Sequence, residues 1–133
     1  MRIMIDTNVL ISAFVLNSKS LNAMIDNITE HHTIVLPSYV IDELKRVTKE
    51  KFPSKYDLLE AFFRELPFEL VYTPEKIDQA RYPDIRDLKD LPILVSAIVG
   101  DVDVLISGDG DFAPLDMERP EILKPKNYVE KYC

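Results

Sequence analysis

Five acids stand where a folded chain could use them together: Asp6, Glu43, Asp90, and the pair Asp109 and Asp111. Asp6 closes the apolar run Arg2–Ile5, and the pair follows Val102–Ser107 in the stretch SGDGDF. Glu43 lies about 60° from Val40 around a helix, so it borders that helix's apolar stripe. Asp90 heads the row Asp90, Leu94, Ala97, whose i, i+4, i+7 spacing puts it on a buried face. Pro92, tolerated only in a first turn, sets the helix start near Lys89 or Asp90. Two unit charges roughly 4 Å apart repel by about 4 kcal/mol at an effective dielectric near 20. A pocket holding four such groups is relieved by raised pKa values or by a divalent cation. Oxygen ligands without Cys or His select Mg2+ or Mn2+ over zinc. Such an ion acidifies a bound water and offsets charge on a phosphate, so the chemistry implied is phosphoryl-group hydrolysis.

Taken singly, most of these acids have plainer uses. Asp87 or Asp90 could cap a helix, Glu43 could flank Lys45 and Arg46 on a solvated face, and Asp109 and Asp111 suit a turn. Asp6 is the hardest to dismiss, because an acid between a buried strand and an apolar helix has few structural reasons to be there.

The elements that must position them are α/β. The 133 residues fit a single domain, 1–133, and at 47% hydrophobic and 29% charged they can build a core. Arg2–Ile5, Thr33–Leu36, Glu69–Tyr72, Val102–Ser107 and Ile122–Leu123 read as strands. Helices are predicted over Thr7–Leu16, Ser20–His31, a segment opened by Pro37-Ser38 with Ser38 as a good cap and the stripe Val40, Ile41, Leu44 and Val47, and Leu91–Val99. Another starts at Ser54 with Asp57 as an approximate capping box. Thr73-Pro74 caps a short helix, Gly108–Phe112 is a tight loop, and Pro125 opens a terminal turn. Strands alternating with helices imply a mostly parallel sheet, whose ligands sit outside the carboxyl ends of the strands where strand order reverses.

Composition narrows the function classes. Sixteen Lys plus Arg against 23 Asp plus Glu give a net charge of −7, which excludes nucleic-acid binding by bulk electrostatics alone. From Glu43 to Tyr56, Lys45, Arg46, Lys49, Lys51 and Lys55 outnumber Glu43 and Glu50, making this stretch either an RNA rim or a solvated helix face. No run reaches the ~18 apolar residues of a membrane span, and MRIMID meets an acid too early for a secretory signal. With the lone Cys133 allowing no internal disulfide, a reducing cytoplasm is expected. His31-His32 face different directions on a helix and suit a solvated end, and Tyr56, Phe62 and Phe63 suit core or a subunit contact more than base stacking.

IDTNVLISA, Glu43 in DELKRV, Asp90 in RDLKDLPILVSAI and VLISGDGDF, in that order, resemble the PIN domain family across essentially the whole chain. The resemblance implies a three-layer fold with sheet order 3-2-1-4-5 and a Mg2+- or Mn2+-dependent endoribonuclease for single-stranded RNA. It also implies the toxin role in a toxin–antitoxin pair, with an antitoxin partner and a homodimer. Asp6, Glu43, Asp90 and Asp109 then form the acidic quartet, with Asp6, Asp90 and Asp109 on the metal and Glu43 orienting or deprotonating the attacking water. Asn8 matches the polar residue that supports the first Asp, and Ser107 the hydroxyl residue before the last acid. Asp87 is an outer helper, and Asp111 the alternative fourth acid. The rival readings are a receiver-like Mg2+-binding signalling domain, which lacks its acceptor Asp after Glu69–Tyr72, and an inactive PIN-type module.

Overall fold

In β1 (Arg2–Ile5), Ile3, Met4 and Ile5 are all fully buried. Neighbouring strand residues point to opposite faces, so both faces of the sheet are covered, as a parallel sheet requires. The computed structural model describes residues 1–83, 88–108 and 117–133. After β1 come α1 (Thr7–Phe14), α2 (Lys19–His31), β2 (Thr33–Pro37), α3 (Ser38–Lys51), α4 (Tyr56–Glu65) and β3 (Phe68–Val71). The chain continues with α5 (Leu91–Val99), β4 (Val104–Ile106), β5 (Glu121–Leu123) and α6 (Pro125–Tyr132). The five strands are parallel in the order β3-β2-β1-β4-β5. Ile3 pairs with Ile34 on one side and Val104 on the other. Order therefore reverses at β1, and the switch point lies between the carboxyl ends of β1 and β4. Among the described residues no helix is long and apolar enough to cross a membrane.

Several local readings shift. α1 stops at Phe14, and Leu16 is 61% exposed, because Asn17 takes a left-handed φ of 55° that ends the helical path. α3 is not capped by Ser38. Pro37 holds the cap position without a side-chain bond, and Ser38 Oγ instead accepts from the Thr73 N–H at 2.9 Å. The buried stripe of α3 is Val40, Leu44 and Thr48, an i, i+4, i+8 row that leaves Val47 half-buried. Ser54 falls within a 3-10 turn, Pro53–Lys55, and α4 begins at Tyr56 without a side-chain cap. Thr73-Pro74 starts no helix; the next 3-10 turn along the chain is at Gln79–Arg81. β3 sits one residue early and β4 is trimmed to three residues. Most of the predicted Gly108–Phe112 loop lies outside the described residues.

Phe62 and Phe63 pack against the core, with Phe62 edge-on to Phe14 and Phe63 6.1 Å from the Phe68 ring. α2 closes over the sheet through Met24, Ile25 and Ile28, the last fully buried. Ile28→Ala is expected to destabilise the fold by roughly 2–5 kcal/mol, read from urea unfolding at constant slope.

Candidate functional site

Asp6 is the single residue between β1 and α1, and its position follows from that economy. Its N–H continues the β1–β4 ladder to the Ile106 carbonyl at 3.0 Å, in extended conformation. One turn on, Oδ1 accepts from the Val9 N–H at 3.1 Å. The other carboxylate oxygen, Oδ2, accepts from the Ser107 hydroxyl. Asp6 is 3% exposed. The acid thus has a structural use that its sequence context did not suggest: it caps α1. Ser107 is held in turn by its own N–H to the Leu123 carbonyl at 3.0 Å, so the end of β4 presents its hydroxyl to the end of β1 from a fixed backbone. Asn8 is exposed in the first turn of α1.

Glu43 and Asp90 meet elsewhere on the same edge, around a residue the sequence reading did not single out. The Tyr39 hydroxyl lies 3.4 Å from Glu43 Oε2 and 3.3 Å from the Lys89 carbonyl oxygen. Burial first, then the Glu43 charge and hydrogen bond, then the Asp90 charge push the Tyr39 phenol above its ordinary pKa; the Arg46 charge works against them. Tyr39 is therefore a neutral O–H donor between the Glu43 carboxylate and the Lys89 carbonyl, in the field of Asp90. The four-residue spacing to Glu43 was a sequence signal for it, since i and i+4 share a helix face. Asp90 occupies the N-cap position of α5 in αR conformation but makes no side-chain cap bond. Capping therefore does not explain it. It is half-buried, with one carboxylate oxygen shielded from solvent.

The other candidates fall less closely. Asp87, Asp109 and Asp111 lie outside the described residues. Lys45, Arg46, Lys49 and Lys51 are all exposed. Arg46 is one turn from Glu43, pairs with Glu50 at 3.3 Å and contributes to the potential at Tyr39. The Lys45 ammonium lies 6.0 Å from the centre of the Phe63 ring. Lys49 and Lys51 are roughly 9 and 12 Å farther along the α3 axis than Glu43, away from the end that abuts the carboxyl edge of β2. Among the described residues no three His, Cys, Asp or Glu side chains converge closely enough to hold a metal ion. The donor chemistry itself, carboxylate oxygen without His or Cys, fits a hard divalent cation such as Mg2+ or Mn2+.

A sequence profile described as PIN domain matches residues 2–111. The chain belongs to the PIN domain family. No curated protein gives a significant match. Among solved structures, a chain of VapBC2 from Rickettsia felis, bound to a DNA fragment from their promoter, is similar at 20% identity and TM-score 0.67, over 93% of this chain and 98% of that one. At that identity the likeness concerns the fold, and it agrees with the 3-2-1-4-5 parallel sheet. Membership of the PIN family displaces the receiver reading. At the β3 exit, where a receiver needs its acceptor acid, this PIN chain has Thr73, whose side chain is engaged by Tyr39 and Ser96.

Ser107→Ala leaves a buried carboxylate oxygen short of one donor. Its expected cost is about 1–3 kcal/mol by denaturant unfolding, with the fold retained in far-UV circular dichroism.

Proposed function

We propose that this PIN-domain protein is a Mg2+- or Mn2+-dependent endoribonuclease that hydrolyses single-stranded RNA. The observation that carries the reading is the gathering of Glu43 and the Asp90 turn about one half-buried phenol, on the sheet edge where Asp6 closes the central strand. Asp6, Asp90 and Asp109 hold the ion in this reading, with Asp111 the alternative to Asp109 and Asp87 outside them. The bound ion supplies an acidified water and charge neutralisation at the phosphate. Glu43 borders the site from α3, where its carboxylate orients the attacking water and takes its proton. Asp6 cannot swing freely, because Val9 N–H and Ser107 each hold one of its oxygens, so it offers a preset lone pair. Ser107, with Asn8 nearby on α1, serves that orientation and not the chemistry.

Attack by water breaks the bond from phosphorus to the 3′ oxygen and leaves a 5′-phosphate and a 3′-hydroxyl. Labelled single-stranded RNA is expected to be cut with Mn2+, to survive in EDTA, and to survive with Asp6→Asn, whose isosteric side chain keeps the cap acceptor. Cyclic phosphate ends, or equal cleavage by Asp6→Asn, would overturn the reading, and an inert wild-type chain would favour the PIN-type module that only binds.

Toxin-like pairing is supported by the likeness to a chain of VapBC2. The partner proposed is an antitoxin protein, with a second copy of this chain completing a homodimer in the cytoplasm. For the RNA rim, the position of Arg46 one turn from Glu43 favours it over Lys49 and Lys51. Arg46→Glu is expected to weaken RNA affinity several-fold more than the pair Lys49→Glu and Lys51→Glu, measured by fluorescence anisotropy at fixed salt in the Asp6→Asn background. A larger loss in the lysine pair would restore the lower helix as the rim.

A further inference from the structure

Glu43 and Asp90 stand on elements that no strand pairing holds in register. α3 leaves β2, whereas the Leu88–Asp90 turn precedes α5 and is reached through the long connection after β3. Something else must fix their separation. The Tyr39 N–H donates to Thr73 Oγ1 at 3.2 Å; Thr73 Oγ1 lies 2.8 Å from Ser96 Oγ; Ser96 Oγ donates to the Pro92 carbonyl at 2.7 Å. Each hydroxyl carries one proton. Because the Ser96 proton goes to Pro92, Thr73 must donate to Ser96, and its oxygen is then free to accept from Tyr39. The bonds run head to tail from the first turn of α3 to the first turn of α5, the arrangement in which hydrogen bonds reinforce one another. At its other end the same tyrosine places its hydroxyl between Glu43 and the Lys89 carbonyl, the residue before Asp90.

We propose that Tyr39 is a positioning residue, which through its hydroxyl and the Thr73–Ser96–Pro92 chain fixes the Glu43 carboxylate in register with the Asp90 turn. The functional half of this proposal rests on the nuclease reading; the structural half does not. Filling space would need only the ring. Setting two acids at a catalytic separation needs the hydroxyl and the directed chain.

The test separates ring from hydroxyl and the tie from the chemistry. Tyr39→Phe in the full chain is expected to raise hydrogen–deuterium exchange in peptides covering Leu88–Leu91, with the core strands unchanged. On single-stranded RNA with Mn2+, kcat is expected to fall roughly tenfold, about what one lost hydrogen bond supplies, with KM nearly constant. In a Glu43→Gln background the same change should cost little more, because the two residues act as a unit. Thr73→Val is expected to reproduce the faster exchange and Thr73→Ser, which keeps the hydroxyl, to avoid it. Unchanged exchange in Tyr39→Phe overturns the tie, and a full kcat loss in the Glu43→Gln background overturns action through Glu43. A wild-type chain inert toward RNA overturns the nuclease reading alone, and the exchange result then decides the tie by itself.

Discussion

A parallel sheet buried on both faces leaves one place for polar chemistry, the ends of its strands. β1 carries that constraint most severely. Its three apolar residues are sealed, and the next residue, Asp6, is still only 3% exposed. A carboxylate so placed must be hydrogen-bonded or it would oppose folding by several kcal/mol. The fold meets this demand with donors that only the switch point brings together: a helix N-terminal N–H from α1 and a hydroxyl from the end of β4. The strand order thus creates the position at which an acid can be buried with both of its oxygens hydrogen-bonded.

The second cluster solves a different electrostatic problem. Glu43 and Asp90 bring like charges to one neighbourhood, and their repulsion would tend to open α3 from the turn before α5. A neutral hydroxyl donor beside Glu43 and the Lys89 carbonyl offsets part of that repulsion by tying α3 to the turn that carries Asp90. The raised Tyr39 pKa expresses the same balance from the phenol's side, since ionising it would add a third negative charge. Lysine there would neutralise one acid and compete with a cation for it, and phenylalanine would remove the hydroxyl donor that meets Glu43 and the Lys89 carbonyl.

The sequence revealed what depends on local composition. Apolar runs marked the strands to within one or two residues, and the helical row Asp90, Leu94, Ala97 placed Asp90 correctly at the start of α5. The 3-2-1-4-5 order came from resemblance, because parallel pairing is set by residues far apart in the chain. Ser38 and Ser54 misled for one reason: a serine beside a helix start is a cap only if nothing distant claims its hydroxyl or reshapes its turn. Thr73 claims Ser38, and Pro53 draws Ser54 into a 3-10 turn. Asp6 failed in the opposite sense, since its capping role needed the exact exit angle of β1. Tyr39 was missed although its spacing to Glu43 was visible, because its importance lies in Lys89 and Thr73, neither of which the spacing can supply.

The acidic balance of the chain then has a physical consequence for the proposed activity. With a net charge of −7 and carboxylates at the active edge, the field repels an RNA backbone at long range. Binding must therefore come from short-range features, and the exposed cations on α3 are unequal in that respect. Lys45 is drawn toward Phe63, and Lys49 and Lys51 lie down the helix, which leaves Arg46 nearest the acids. Arg46 is itself held by Glu50 at the i+4 position. An exposed pair of this kind is worth less than about 1 kcal/mol, so a phosphate can displace Glu50 at small cost and gain the planar guanidinium fork. In the proposed reading, carboxylates holding a divalent ion would be relieved of their mutual repulsion, and the negative potential facing the scissile phosphate would be reduced.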